Sequence, residues 1–361
     1  MLAHVSSIEQ KKLISSTPKH PHRAPSRLVK TPNASFLDTV TNLLNPSALL
    51  NAAPGKKERR REIAPGIAVG PMGLGTWSWG NQFLWGYNEQ MDGELQEVFN
   101  LAVSQGVNLF DTADSYGTGK LNGKSELLLG EFSKSYPGPQ RVRDDIHIAT
   151  KFASYPWRIL PGSVVSACKA SAERLGVDSI SLGQLHWSTA NYGPRELSKF
   201  KAYLDKRGVP LATAQIQYSL LSCGKEQADT KALCDDLGIT LIAYSPLALG
   251  LLTGKYSLED KASLPSGPRG QLFRSLLPKV QPLLDTLQAI AASRNKNMSQ
   301  VAINWCICKG TIPIPGAKTL NQAQSNLGAL GWRLSASEVA ELDNVSASLG
   351  TGTIQNIFQT K

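Results

Sequence analysis

The chain is short of histidines, of paired cysteines and of long apolar runs, and each shortage excludes a class of protein. Two of the five histidines, His147 and His186, lie after residue 61, so a histidine-based metal centre is not expected. Five cysteines, an odd number spread along the chain, give no basis for a disulfide framework. No apolar run approaches the roughly 20 residues that cross a bilayer, so no membrane span is predicted.

Acidic residues are scarce only at the start of the chain. Residues 1–61 hold 11 Lys and Arg against three Asp and Glu, whereas the rest holds 27 against 25. The nearly neutral body lacks the basic surface that nucleic-acid binding requires, so no nucleic-acid partner is predicted. Residues 1–55 are rich in Ser, Thr, Pro, Lys and Arg. This composition is typical of an organelle transit peptide, and a disordered leader with another role is the alternative.

From residue 62 onward, short β-branched or apolar runs alternate with segments of helical spacing. This order predicts parallel strands joined by right-handed crossovers, in a doubly wound sheet or a closed β/α barrel. Seven strands are predicted, at 73–77, 108–113, 146–150, 180–187, 212–218, 239–246 and 311–315. Helices are predicted near 93–105, 122–133, 163–175, 194–207, 225–237, 279–294 and 320–329.

Two glycine-rich stretches resemble nucleotide-binding loops but depart from them. Residues 73–78 have a serine where a dinucleotide fingerprint has its third glycine. In residues 117–125 the first glycine has the wrong spacing for a phosphate-binding P-loop. We interpret the second stretch as a loop closed by Ser125 as a helix cap, with Glu126 in the first helical turn.

Four polar residues follow or end predicted strands, and in a barrel such ends share one face. They are Asp111, Tyr116, Lys151 and His186. A tyrosine titrates near ~10 in water, so it becomes an effective acid near neutral pH only beside a cation. Lys151 is that candidate cation, Asp111 can hold Lys151, and His186 can orient a carbonyl oxygen. Taken singly, each residue is more often a surface ion pair or packing residue, but the four together indicate a proton-donating site.

Six ordered motifs make residues 62–345 similar to the aldo-keto reductases, and most similar to plastid-targeted plant members. The motifs are FDTADSYG at 110–117, SELLLG at 125–130, ATK at 149–151, LHW at 185–187, AYSPL at 243–247 and IPIPGAK at 312–318. The resemblance implies a (β/α)8 TIM barrel that binds NADPH without a Rossmann fold. It also implies that Asp111, Tyr116, Lys151 and His186 are the family's catalytic tetrad. The implied reaction transfers a hydride to the carbonyl of a small aldehyde or ketone, with Tyr116 as the general acid.

The resemblance also implies a set of cofactor-binding residues and no metal. Tyr244 matches the ring that stacks on the nicotinamide, and Lys318, with Arg269 or Arg274, matches the 2′-phosphate site, which favours NADPH. Trp77, Trp79, Trp85 and Tyr87 are either substrate-pocket walls or ordinary core aromatics. The full implied cofactor set is Gly75, Thr76, Trp77, Asn191, Gln215, Tyr244, Ser245, Pro246, Leu247, Gly250, Lys255, Arg269, Gly316, Lys318, Gln322, Ser325 and Asn326.

The chain departs from the family in one place, because seven strands are predicted where the family has eight. After Trp187 the sequence runs directly into the segment that resembles the fifth helix, so helix 4 and strand 5 are predicted to be missing. Asn191–Pro194 looks like the join, as an alternative transcript or an erroneous gene model would leave it. The loss opens the barrel beside His186 and leaves unpaired backbone groups on two strands.

Two functions from different classes therefore stand at this stage. The first is an NADPH-dependent reductase of small carbonyl compounds, a monomer or weak oligomer in the chloroplast or, alternatively, the mitochondrion. The second is a non-catalytic cofactor-binding or interaction protein, or an unstable splice product. The predicted organisation is a leader over 1–55, a barrel over 62–345 and a C-terminal tail over 346–361.

Overall fold

A computed structural model describes residues 59–119, 122–153, 155, 158, 160–186 and 194–349. The expected leader over 1–55, Asn191 and most of the expected tail lie outside these described residues, so those expectations stay predictions.

Nine strands occur in the described part of the chain, and seven of them are the predicted parallel strands. The first two form an antiparallel hairpin ahead of the barrel. The strands are β1 (Arg61–Ala64), β2 (Ile67–Val69), β3 (Leu74–Gly75), β4 (Leu109–Asp111), β5 (His147–Ala153), β6 (Leu182–His186), β7 (Thr213–Gln217), β8 (Thr240–Tyr244) and β9 (Ile312–Pro313).

Helices follow the strands in alternation. The α-helices are α1 (Gln82–Trp85), α2 (Asp92–Ser104), α3 (Lys124–Lys134), α4 (Gln140–Arg143), α5 (Pro161–Leu175), α6 (Pro194–Asp205), α7 (Lys225–Asp236), α8 (Gly267–Ser293), α9 (Met298–Cys308), α10 (Leu320–Leu327) and α11 (Ala336–Ser348). Short 3₁₀ helices span Glu89–Met91, Ala248–Thr253 and Lys261–Ser263.

The parallel strands form two ladders that meet at one side. The first ladder has the order β3-β4-β5-β6 and the second the order β7-β8-β9. At the β9–β3 junction, the Gly73 amide donates to the Pro313 carbonyl at 3.0 Å and the Gly75 amide to the Pro315 carbonyl at 3.2 Å. Glycine is needed here, because a Cβ on Gly75 would lie 2.9 Å from the Ile314 carbonyl oxygen.

The barrel is open on the opposite side, between β6 and β7. No ladder joins these two strands among the described residues, and the two sheets end there. Leu185, on the outward face of β6, is 49% exposed, whereas outward residues of barrel strands are normally covered by helices. The described residues therefore form a parallel β/α barrel of seven strands with one open seam, as the sequence predicts. We call the β6–β7 gap the open seam.

The core has one inner layer and two outer layers. Inside the barrel, Leu109, Ile242 and Ile312 pack together, and the hairpin residues Ile63 and Val69 close the amino-terminal end. Outside the strands, one cluster lies among α2, α3 and β4, and another among α7, α8, α9 and β8. The residues nearest the open seam contribute little to these clusters, which leaves β6 and β7 half-exposed.

Three local expectations were wrong. Helix α8 begins at Gly267 and not near residue 279, and α9 and α11 were not predicted. Helix α9 is buried on nearly all sides, so its sequence has no amphipathic period to detect. Ser125 is not a cap, because α3 begins one residue earlier with Gly123 as its N-cap. The Ser125 hydroxyl instead donates to Thr76 Oγ1 at 2.7 Å.

Candidate active site

Three of the four expected catalytic residues form one hydrogen-bonded group at the carboxyl ends of the strands. Asp111 ends β4, while Lys151 lies inside β5, which continues three residues beyond the expected end at residue 150. Lys151 Nζ lies 2.5 Å from Asp111 Oδ2, 2.8 Å from the Thr112 carbonyl oxygen and 3.1 Å from Tyr116 Oη. The Tyr116 hydroxyl is thus tied to a buried cation, as the sequence predicts.

Burial and charge compete in setting the acidity of this group. Burial lowers the pKa of Lys151, whereas the neighbouring Asp111 and Tyr116 raise it. Their combined effect is larger than that of burial, so the net shift is upward and the ammonium form is favoured. Burial raises the pKa of Tyr116 and outweighs the lowering effect of Lys151. The sequence-based expectation that Lys151 alone makes Tyr116 more acidic was therefore incomplete, since desolvation of the phenolate acts more strongly in the opposite direction.

His186 is the fourth member and lies beside the tyrosine ring. The two ring centroids are 5.6 Å apart, and His186 Nδ1 is 3.2 Å from Ser115 Oγ. Burial first, and the Lys151 charge second, lower the pKa of His186 to about 2. A neutral imidazole at this position can donate a hydrogen bond to a carbonyl oxygen without adding a second cation beside Lys151.

This depressed pKa leads to a prediction about pH dependence. A group whose pKa is lowered from 6.5 to about 2 stays neutral at every pH above that value. We expect no inflection near the ordinary histidine pKa of ~6.5 in the pH profile of kcat/KM between pH 5 and 8. An NMR titration of the His186 ring over the same range should show no change. A protonation step near pH 6 in either measurement would contradict this arrangement.

The four candidate catalytic residues lie on a cavity of about 1240 Å³. Asp111, Tyr116, Lys151 and His186 all line it. So do most of the expected cofactor residues, which are Gly75, Trp77, Gln215, Tyr244, Ser245, Pro246, Leu247, Gly250, Lys255, Arg269, Gly316, Lys318, Gln322, Ser325 and Asn326.

Two expected cofactor residues are not on this wall. Thr76 is fully buried, and its hydroxyl donates to the Asp111 carbonyl at 3.0 Å while accepting from Ser125, so its side chain supports β4 from behind the cavity. The assignment of Thr76 to the cofactor site stays a prediction. Asn191 lies outside the described residues.

One end of the cavity carries uncompensated positive charge. Burial, then Arg269, then Lys255 lower the pKa of Lys318, which indicates that the three cations repel each other. Arg269 Nε is buried without a hydrogen-bond partner among the described residues, and Arg274, the other candidate, is exposed and does not line the cavity. A phosphate group placed here would offset the repulsion among the three cations and could accept a hydrogen bond from Arg269 Nε.

The loop that follows β8 runs along the same cavity in a strained conformation. Ser245, Ala248 and Leu249 have φ angles of 52°, 47° and 58°, in the left-handed region that non-glycine residues rarely adopt. Such strain clusters at ligand-binding segments, where the surrounding structure enforces it. Gly250, at φ 96°, completes the turn beside Arg269.

The four aromatics near the first strand divide between the two expected roles. Trp77 and Trp85 line the cavity in an edge-to-face pair, with ring centroids 5.6 Å apart. Trp79 and Tyr87 are instead core residues, at 0% and 3% exposure. Trp77 and Trp85 therefore give this part of the cavity wall an aromatic surface.

Gln184 and Tyr256 are site residues that the sequence interpretation missed. Gln184 Nε2 lies 3.2 Å from Asp111 Oδ1, and its position two residues before His186 on a strand is a signal that both face inward. Tyr256 Oη accepts a hydrogen bond from Arg269 at 2.5 Å, and no pattern in the sequence predicts that contact.

Neither a metal site nor a membrane span is evident in the described residues. No group of three or more His, Cys, Asp and Glu side chains there is arranged to hold a metal ion. None of the described helices is long and apolar enough to cross a membrane.

A parallel β/α barrel with a Tyr–Lys–Asp group at its carboxyl-terminal rim defines the chain as an oxidoreductase of the barrel class. The chain belongs to the aldo/keto reductase family, whose model matches residues 71–200 and 188–347. The two matched segments together span most of the described structure, and they overlap at 188–200. The expectation from the sequence motifs is thereby confirmed.

Comparison with known proteins gives relatives in plants and bacteria. The chain is 52% identical over 324 residues to a protein named pyridoxal reductase, chloroplastic, from Arabidopsis thaliana, covering 82% of this chain and 88% of that one. It is 33% identical over 299 residues to an uncharacterized oxidoreductase of Mycobacterium tuberculosis, covering 74% of this chain and 86% of the relative.

Solved structures share the fold at lower sequence identity. A glycerol dehydrogenase, AKR11B4, from Gluconobacter oxydans matches with a TM-score of 0.64 at 23% identity, over 84% of this chain and 99% of the other. A thermostable aldo-keto reductase in complex with the inhibitor epalrestat matches with a TM-score of 0.57, also at 23% identity, over 79% and 99%. At this identity the likeness establishes the fold alone.

Proposed function

We propose that the protein is an NADPH-dependent reductase of small aldehydes and ketones. The observation that carries this proposal is the contact of Tyr116 Oη with Lys151 Nζ at 3.1 Å, in a cavity whose other end is basic. When bound, the reduced nicotinamide supplies a hydride to the carbonyl carbon. The remaining steps fall to side chains of this chain.

In this proposal each catalytic residue has a separate task. Tyr116 donates its hydroxyl proton to the carbonyl oxygen as the carbon is reduced. Lys151 stabilises the phenolate that Tyr116 then carries, and Asp111 keeps Lys151 charged and in place. Neutral His186 donates a hydrogen bond that orients the carbonyl oxygen toward Tyr116.

The choice of NADPH over NADH rests on the basic end of the cavity. Lys318 is half-buried there, with its Nζ 3.0 Å from the Trp85 carbonyl oxygen, and Arg269 lies close enough to lower its pKa. We expect Lys318→Ala to weaken NADPH binding about 10- to 100-fold, since a charge-assisted hydrogen bond is worth about 1.5–3 kcal/mol. NADH binding should change less than about twofold.

The matched control for that substitution is Lys279→Ala, an exposed lysine on α8 away from the cavity. Isothermal titration with each cofactor compares the two variants directly. Equal losses for NADPH and NADH, or a loss in Lys279→Ala, would contradict a 2′-phosphate contact by Lys318.

Pyridoxal is the first substrate to test. The supporting facts are the 52% identity to a protein named as a pyridoxal reductase and the aromatic rings of Trp77 and Trp85 on the cavity wall, against which a ring-shaped substrate can pack. The test is NADPH oxidation by the purified chain with pyridoxal, compared with simple aliphatic and aromatic aldehydes. Turnover that depends on an aldehyde supports the proposal, and oxidation with none of them counts against it.

We also propose that this chain is a shortened form of its family's barrel. The alignment with the Arabidopsis protein has 324 positions, but it covers only 82% of this chain of 361 residues, which is about 296 residues. About 28 positions of the alignment therefore have no residue of this chain opposite them. A helix and a strand occupy about that many residues, and the two family matches overlap at 188–200, where β6 and α6 adjoin. An alternative transcript or an erroneous gene model accounts for such a loss.

The open seam also favours a second candidate, a chain that binds cofactor or partners without catalysis. Unpaired strand edges and the exposed Leu185 are features of an interaction surface or of an unstable product. The aldehyde assay separates the two, because a folded chain that binds NADPH without turnover fits the second.

We propose a plastid location for the protein. The support is the leader composition of residues 1–55 and the printed name of the Arabidopsis relative. A fluorescent fusion of residues 1–55 expressed in leaf cells should enter chloroplasts, and accumulation in mitochondria or the cytosol would contradict this.

A further inference from the structure

The carboxylate of Asp111 is held on both of its oxygens. Oδ2 is occupied by Lys151, as described above. Oδ1 accepts from Gln215 Nε2 at 2.8 Å and from Gln184 Nε2 at 3.2 Å. The same Gln215 amide also donates to Gln184 Oε1 at 3.2 Å, so the two amides and the carboxylate form a closed triangle.

The three side chains meet because of the way barrel strands alternate. In a β/α barrel, inward-facing residues from alternate strands form layers across the interior. Asp111 on β4, Gln184 on β6 and Gln215 on β7 stand in such a layer, with β5 between the first two and the open seam between the last two. The Gln184–Gln215 contact therefore joins two strands that share no backbone ladder in the described structure.

We propose that Gln184 is a positioning residue that, together with Gln215, fixes Asp111 across the open seam so that Asp111 stays on Lys151. This inference rests on the proposed reductase function and deepens it. The family resemblance gives Gln184 no role, and it gives Gln215 only a cofactor contact. The Gln184–Gln215–Asp111 triangle, which we call the amide clamp, adds a task for both.

The amide clamp affects the pKa of Tyr116, the proposed acid, through the position of the Asp111 carboxylate. The negative charge of Asp111 raises the pKa of both Lys151 and Tyr116, so a displaced carboxylate lets both values fall. The other titratable groups facing the site do not interfere near neutrality. The pKa of His186 is about 2 and that of Tyr244 is about 12, because burial disfavours both charged forms.

The first test is Gln184→Met, which keeps the length of the side chain and removes its amide. We expect kcat to fall about 5- to 10-fold, the size of one lost hydrogen bond of ordinary strength, because the Gln184–Asp111 contact is long at 3.2 Å. KM and the Kd for NADPH should stay within about twofold, and the alkaline limb of the kcat profile should move to lower pH. Gln281→Met, an exposed glutamine that donates to Asp285 at 2.8 Å, is the matched control and should leave kcat unchanged.

A double-mutant cycle with Asp111→Asn separates positioning from a general packing effect. If Gln184 acts through Asp111, adding Gln184→Met to Asp111→Asn should lower kcat less than about twofold further. Independent, multiplicative losses would overturn the proposal, and so would a Gln184→Met variant with wild-type kcat and pH profile.

The same cycle measured by urea unfolding keeps the inference testable apart from the reaction. If the unmodified chain reduces no aldehyde, the proposed function fails, while the amide clamp still predicts that the two substitutions are non-additive in the free energy of unfolding. Additive unfolding energies would show that Gln184 and Asp111 are not coupled.

Discussion

Replacing Tyr116 by Phe is expected to lower kcat for aldehyde reduction by about 10²- to 10⁴-fold, the range that a positioned general acid contributes. The substitution removes one oxygen, the atom that lies 3.1 Å from Lys151 Nζ. Lys151 and Asp111, which hold that oxygen in place, are only 3% and 2% exposed, so bulk water is excluded from the group behind Tyr116. The ring itself is kept, so its edge-to-face contact with His186 is preserved.

Cofactor binding distinguishes this result from misfolding. The Kd for NADPH should change less than about threefold in Tyr116→Phe, because the basic end of the cavity is untouched. Tyr203→Phe is the matched control, since Tyr203 is 55% exposed on α6, and its kcat should equal that of the wild type. Retention of more than a tenth of wild-type kcat in Tyr116→Phe would rule out Tyr116 as the proton donor.

The largest expected loss of stability comes from Arg174→Leu. Glu126 is completely buried, and its carboxylate is matched by Arg174 Nε at 2.7 Å and by Thr150 Oγ1 at 2.5 Å. Removing Arg174 leaves a buried charge with one neutral partner, and breaking such a pair costs about 3 kcal/mol or more. We expect urea unfolding to show a free energy of unfolding lower by about 3 kcal/mol.

An exposed ion pair provides the comparison. Lys225 and Asp229 lie one turn apart on α7, with the lysine 86% exposed, and Lys225→Leu should change the free energy of unfolding by less than about 0.5 kcal/mol. A small effect of Arg174→Leu, similar to that of Lys225→Leu, would mean that Glu126 does not depend on its charged partner.

Most of the fold could be predicted from the sequence, because the strands have recognisable sequence patterns. Each predicted strand is a short β-branched or apolar run, and the seven runs match the seven parallel strands of the described residues. The convergence of Asp111 and His186 was predictable for the same reason, since both residues end strands and strand ends meet on one face of a barrel.

What the sequence could not supply depends on contacts between distant segments. The amide clamp could not be predicted, because no local sequence pattern reveals that Gln184 and Gln215 meet across the open seam. The hydrogen bonds of the Thr76 hydroxyl with the Asp111 carbonyl and with Ser125 are likewise an outcome of tertiary packing that no local pattern reveals. The pKa of Tyr116 likewise depends on burial, which raises it, and on the charge of Lys151, which lowers it. The sequence alone does not show which of the two effects is larger.

The most direct test of the account is an NADPH titration of the intact purified chain, followed by tryptophan fluorescence and by the thermal midpoint. Trp77 and Trp85 line the cavity and should report binding. The account predicts saturable NADPH binding and a midpoint that rises with ligand, equivalent to about 2.7 kcal/mol at a hundredfold excess over Kd. A folded chain whose fluorescence and midpoint do not respond to NADPH would contradict the claim that a barrel with an open seam still forms the cofactor site.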